Sequence, residues 1–160
     1  MIKRVLSLAC AMLLASSAFA VQPATRKVLT LEIAKQVAAA AAAEAAANKW
    51  TVVIAILDDG GNLMYLERTD NTQIASIQIA QDKAKTAVGF KRPSKTFEDA
   101  VAGGRNAILR IPGMLPVEGG IPLMLGDQLA GAIGVSGVTS QQDGQIAKAG
   151  ADALAKIVAN

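Results

Sequence analysis

The chain has 160 residues, enough for one domain with its own core, and carries 16 basic against 13 acidic residues for a formal charge of +3. It contains no histidine and a single cysteine, Cys10. The absence of histidine excludes a His-containing catalytic triad, His–metal sites and proximal-His haem ligation.

The first twenty residues read as a secretory signal peptide. Lys3 and Arg4 form a positive n-region, Val5 to Ala15 is apolar, and Ala18-Phe19-Ala20 is an A-x-A cleavage pattern, so cleavage is expected after Ala20. The apolar run falls short of the roughly 18–20 residues of a membrane span, and Ser7 stands where a lipoprotein signal wants leucine ahead of Cys10. The reading is therefore a periplasmic or secreted protein with no stable membrane anchor after cleavage. Cleavage removes Lys3, Arg4 and Cys10, leaving 14 basic against 13 acidic residues and no cysteine. Disulfides and thiolate chemistry then drop out, and no electrostatic case for nucleic acid is left. Residues 21–28, with Pro23, form a linker, and 29–160 form one domain.

Within that domain, Thr30 is the predicted N-cap of an alanine-rich helix, with Glu32 in its first turn and Leu31, Ala34, Val37, Ala38, Ala41 and Ala45 at helical spacing. Val52 to Leu57 is a near-continuous β-branched run and predicts a strand buried on both faces. Asp58-Asp59-Gly60-Gly61 turns the chain into a second strand, Leu63 to Arg68, making a hairpin. Calcium binding by this turn is disfavoured, because the alternating oxygen ligands and distant Glu of an EF-hand are missing.

Ile74, Ile77, Ala80, Ala84 and Val88 mark a helix over about Thr72 to Val88. Thr96 with Asp99 suggests a capping box for a third helix running to Leu109, weakened by Gly103-Gly104. Ile111 to Gly120, with two prolines, reads as an irregular or edge segment. Ile121 to Leu125 and Leu129 to Ser136 predict another hairpin turning at Gly126-Asp127, and Ser140 with Asp143 suggests the cap of a last helix to about Val158. Hairpins imply an antiparallel sheet, with helices on its faces.

The stretch "GAIGVSG", residues 131–137, has neither the Rossmann G-x-G-x-x-G spacing nor the Gly-Lys-Ser/Thr of a P-loop, and it lies largely inside a strand. No nucleotide cofactor is expected. Strand alternation puts Gly131 and Gly137 on one face and Gly134 on the other, where missing side chains admit a close neighbour. Lys83, Lys85, Lys91 and Arg92 form a local basic cluster, read either as a solvated face or as an anchor for carboxylates. Arg68 is either half of an ion pair with Glu67 or an anion contact. Met64, Met114 and Met124 are soft-ligand candidates better read as core. Ser136 lacks a histidine partner, and Glu118-Gly119-Gly120 allows close approach of a ligand.

The segments "LTLEIAKQV", "VVIAILDDGGNLMYLERTDNTQIASIQIAQDKAKTAV", "RPSKTFEDAV", "PVEGGIPLML" and "GAIGVSGVTSQQDGQIAKAGADAL" occur in this order. Together, from about Leu29 to Leu154, they resemble the GlcG/HbpS family of haem-binding or haem-degrading type, itself similar to the PduO C-terminal domain. The resemblance implies an α+β, profilin-like three-layer α/β/α fold: a five-stranded antiparallel sheet with helices on both faces, Ile111 to Val117 supplying the fifth strand. It also implies haem as a cofactor and homo-oligomers, octamers among HbpS-like members. PduO-type domains that ligate haem do so through a histidine, which this chain lacks.

The expected function is an exported oligomeric binding protein for haem or a related tetrapyrrole. The ligand-binding candidates are Arg68, Lys83, Gly119, Gly120 and Ser136: two cations for carboxylates, two glycines for close approach and one hydroxyl donor. Two alternatives stay open. One is an enzyme acting on haem or a small carboxylate or carbonyl metabolite, for which Asp58, Glu67, Lys83 and Glu118 are the only nominees. The other is an accessory interaction module of an exported oxidoreductase or sensor.

Overall fold

A computed structural model describes residues 21–159, so the expected signal peptide lies outside the described residues. The elements run α1 (Leu31–Ala47), β1 (Val53–Asp58), β2 (Leu63–Arg68), α2 (Ser76–Phe90), α3 (Lys95–Ala102), a 3-10 turn (Asn106–Arg110), β3 (Gly120–Leu125), β4 (Gln128–Ser136) and α4 (Ser140–Ile157). The strands form one antiparallel sheet in the order β2-β1-β4-β3. No helix among the described residues is long and apolar enough to cross a membrane.

The two faces of the sheet are built from different residue sizes. Ile54, Ile56, Leu123, Ile133 and Val135 pack under α1 and α4 in the main core. The opposite face presents Val53, Ala55, Leu57 and Ala132 to Ala80, Ala84, Ala87 and Val88 of α2. Strand β1 is covered on both faces and flanked on both edges, so its apolar run does not alternate.

Small residues let α2 lie almost backbone-to-backbone on the sheet. Gly134 pairs with Gly120 across β4 and β3. A Cβ at Gly134 would overlap the Ala80 carbonyl oxygen, and one at Gly120 would overlap the Lys83 carbonyl. The absent Cβ of Gly131 points instead at Leu29, on the α1 side, so the alternation expected of the glycine run holds. On that second face Gly150 serves α4 similarly, its missing Cβ lying 3.0 Å from the Val37 carbonyl oxygen of α1.

The expected five-stranded sheet is corrected to four strands among the described residues. Ile111 to Val117 makes no ladder because its backbone is engaged elsewhere. Pro112 and Pro116 lack N–H groups. The Leu115 amide donates to Thr86 Oγ1 at 2.8 Å, and the Val117 carbonyl accepts from Ser94 Oγ at 2.6 Å. The segment is a strap bound to α2 and to the start of α3.

The helix boundaries also move. Thr30 caps α1 as expected, accepting from the Ile33 amide at 3.2 Å. Helix α2 begins at Ser76, because the Thr72 hydroxyl is tied to the Thr69 carbonyl at 2.8 Å, and Ile74 is left exposed ahead of it. Helix α3 has no Thr96–Asp99 box. Asp99 pairs with Lys95 at 2.7 Å, and Ser94, the N-cap residue, spends its hydroxyl on Val117 and the Gly120 amide. It ends at Ala102, ahead of Gly103 and of Gly104 at φ +92°. Helix α4 is capped one residue earlier than Ser140 by a Thr139–Gln142 box, which frees Asp143 for another role.

Replacing Gly134 by alanine forces α2 off the sheet and is expected to cost about 1–3 kcal/mol. Gly89, within α2, faces open space where an alanine methyl would stand, so Gly89→Ala is expected to stabilise by about 0.4–1 kcal/mol. Thermal melts of the two variants should move in opposite directions; equal shifts would contradict the close-approach account.

Candidate functional site

Two opposite charges sit on helix faces that are otherwise small or apolar. In α2, Ser76, Ala80, Lys83, Ala84 and Ala87 are buried at helical spacing; in α4, Asp143, Ile146, Ala147, Gly150 and Leu154 are. The helices lie on opposite faces of the sheet. Lys83 and Asp143 meet at the end where β3 begins and β4 finishes, with Nζ 2.7 Å from Oδ2 and side chains only 2% and 3% exposed. Asp143 Oδ1 accepts from the Val138 amide at 3.2 Å. Burial pushes the Asp143 carboxyl above the usual aspartate range, while the Lys83 ammonium and the Val138 and Gly137 amides pull it back.

Gly119 and Gly120 form the adjoining wall. Gly119 has φ +127°, and a Cβ there would lie 2.7 Å from the Val135 carbonyl oxygen and 2.9 Å from Lys83 Nζ. Only glycine fits both the conformation and the space. The turn is held by the Val135 amide donating to the Gly119 carbonyl at 2.9 Å, and by Ser94 bonding both polar groups of Gly120. Glu118, half-buried against Gly144, has its carboxyl raised by burial, with Lys95 opposing.

Two clefts flank this wall. One, of about 260 Å3, is lined by Gln73, Ile79, Lys83, Leu115, Ser136 and Asp143 among others. The other, of about 210 Å3, is lined by Lys95, Glu118, Gly119, Gly120, Ile121 and Lys148 among others. Among the described residues, no group of three or more carboxylate, histidine or cysteine side chains is arranged to hold a metal ion.

Four of the five residues picked from the sequence, Lys83, Gly119, Gly120 and Ser136, come together at this end of the sheet. Ser136 Oγ donates to Ser76 Oγ at 3.1 Å. Arg68 shares the end but not the cleft: it pairs with Val53, which pairs with Ser136, placing it two strands away and exposed. Its neighbour Glu67 accepts from the Tyr65 hydroxyl at 3.1 Å, and this bond raises the Tyr65 pKa.

The basic cluster disperses: Lys83 is buried, Lys85 pairs with Asp82 at 3.5 Å, Lys91 is the left-handed C-cap of α2, and Arg92 stacks over Phe97 at 5.9 Å. Helical geometry turns residues this close in sequence toward different surroundings. Met124 is 43% exposed rather than core, because Ile121, Leu123 and Leu125 take the main-core face of β3 and alternation turns Met124 to the other. Asp143, Ser140 and Gln73 were missed as site residues. The signal for Asp143 was present, since a carboxylate three and four residues ahead of Ile146 and Ala147 lies on the buried stripe.

Lys83→Met or Asp143→Leu alone leaves one buried charge unpaired and is expected to cost about 3–5 kcal/mol, whereas the double variant is expected to recover most of that loss. Urea unfolding of the three variants measures the coupling; additive losses would show that the pair does not act as a unit.

The chain matches the family described as "Haem degrading protein HbpS-like" over residues 29–152. It is 42% identical over 112 residues to Protein GlcG of Escherichia coli (strain K12), covering 70% of this chain and 84% of that protein. A crystal structure of HbpS superposes with a TM-score of 0.76 at 32% identity, covering 83% of this chain and 94% of that one. A PduOC:Heme complex superposes at 0.72 and 27% identity, covering 79% and 95%. With about four-fifths of the chain covered by each of these structures and residues 29–152 by the family, the chain belongs to the HbpS-like family.

Proposed function

We propose that this protein is an exported, oligomeric binding protein for haem or a related tetrapyrrole. The observation that carries the reading is the family match over residues 29–152, joined by a structural relative that is a haem complex. The chain's own residues constrain how a tetrapyrrole is held. The two clefts, about 260 and 210 Å3, fall below the roughly 300–1,000 Å3 of pockets that enclose drug-sized ligands. Residues 21–160 contain no histidine or cysteine. They do not fit an enclosed haem with a strong axial ligand of either type. The reading is of a tetrapyrrole on an open surface, held by apolar contact and by its carboxylates.

Of the proposed ligand residues, Gly119 and Gly120 permit close approach and Ser136 supplies a hydroxyl. Lys83 already has its charge matched by Asp143, so it offers N–H donors rather than net positive charge. Arg68 is exposed and belongs to no ion pair among the described residues, so of the two proposed cations it is the one free to meet a propionate.

Titrating the chain from Val21 with hemin is expected to give a sharp, saturable Soret band of defined stoichiometry. Arg68→Ala is expected to weaken binding about tenfold, the loss of one charge-assisted contact. A spectrum like that of free or adsorbed hemin overturns the reading. Export is checked by the intact mass of the protein from the periplasm or medium, expected to begin at Val21, and oligomerisation by light scattering on the same material.

A further inference from the structure

We propose that the Lys83–Asp143 cleft is a carbonyl site, in which the Lys83 amine condenses with a small uncharged aldehyde or ketone and Asp143 carries the proton. This assignment rests on the cleft alone and does not depend on tetrapyrrole binding.

The pair is placed as a reactive pair needs to be. Lys83 and Asp143 touch at 2.7 Å, are nearly fully buried, and both line a cleft that opens between α2, the strap and the start of α4. One N–H of the ammonium is bonded to Asp143 Oδ2, and no other hydrogen bond engages Nζ among the described residues. In a site of low polarity, handing that proton to the carboxylate exchanges two buried charges for two neutral groups, which costs far less than in water. A lysine desolvated among apolar walls is one form of activated amine nucleophile, and the carboxylate's part here is to receive the proton.

The cleft also selects its ligand class. Lys83 and Asp143 are the only charged side chains that line it, so it is neutral overall. A carboxylate-bearing ligand would meet Asp143 with no unmatched cation to offset the repulsion. Ile79, Leu115, Val117 and Val138 supply apolar walls, and the hydroxyls of Ser136 and Ser140 donate to Ser76 Oγ at 3.1 Å and Glu98 Oε1 at 3.2 Å, leaving their oxygens as acceptors beside the space. At about 260 Å3 the space suits a molecule of a few carbons.

The step balances. Asp143 takes one proton from the Lys83 ammonium, and the freed nitrogen lone pair bonds to the carbonyl carbon as the C=O π pair moves onto oxygen. A second nitrogen proton passes to that oxygen, giving a carbinolamine. Asp143 then returns its proton to the hydroxyl, which leaves as water. A protonated imine remains beside the regenerated Asp143 carboxylate, with total charge unchanged and no oxidant or reductant consumed.

The test is reductive trapping of the purified chain with butyraldehyde and cyanoborohydride, followed by peptide mapping. Exposed Lys35 and Lys49 serve as internal references. Lys83 is expected to acquire the butyl adduct with saturable kinetics and, at low aldehyde, about tenfold faster than the references. The anionic aldehyde glyoxylate is expected to show no such preference. Asp143→Asn, checked for a native circular dichroism spectrum, is expected to lose the Lys83 advantage. Lys83 labelling slower than Lys35 and Lys49 in the wild-type protein, as burial alone dictates, overturns the proposal whether or not any variant folds. Undiminished labelling in folded Asp143→Asn overturns it as well. Hemin binding is read separately by its Soret band, so the two readings fail independently.

Discussion

The close seating of α2 on the sheet is the constraint from which the rest of the structure follows. With glycine at 120 and 134, the backbone of α2 rests on β3 and β4 with almost no side-chain layer between. Helix and sheet ordinarily meet through interdigitated side chains that fill the space at near-crystalline density. Here Ala80, Ala84 and Ala87 meet Ala55, Ala132 and Gly134, and density is reached by shortening the distance. The opposite face keeps the isoleucines, valines and leucines and holds the main core.

That seating fixes the site. A residue on the sheet-facing stripe of α2 at the end of β3 is pinned by the carbonyl that presses on Gly120, and this residue is Lys83. Its side chain leaves the small-residue interface past the sheet end and meets α4, which arrives from the other face carrying Asp143. The ion pair therefore bridges the two helical layers around the end of the sheet. Gly119 is shaped to the same event, since its missing side chain is the room in which Lys83 Nζ and the Val135 carbonyl sit. The strap of residues 111–117, held by Thr86 and Ser94, then walls the cleft that a fifth strand would have left open or filled differently.

Family membership and local chemistry speak to different levels of function. The HbpS-like match places the fold among relatives that include a haem complex, and fold alone does not carry function. The clefts are small and contain no imidazole or thiolate. Their strongest chemical feature is a lysine desolvated against a carboxylate. A tetrapyrrole reading draws on the open surface and on Arg68, and a carbonyl reading draws on the enclosed pair. The two readings share Lys83 and Ser136, and they part at Arg68 on the open surface and Asp143 in the cleft.

Hairpins, helices and the family were legible in the sequence because they rest on local signals: the β-branched run of Val52 to Leu57, the Thr30 cap, the glycine turns and the motifs in order. The absence of histidine was equally plain and excluded whole classes of chemistry. Four of the five site residues were also within reach, since glycines beside a strand and a lysine among buried alanines stand out in one dimension. Tertiary structure decided what depends on distant partners. Ile111 to Val117 became a strap because Thr86 and Ser94 claim its backbone groups, and a strand needs a free ladder edge. Asp143 ceased to be a cap because Thr139 and Gln142 do that work, and it found Lys83 sixty residues away. The sequence by itself determined which residues carry charge, bulk and backbone freedom; only the packing of α2 and α4 around the end of the sheet decided which of those charges leave water together.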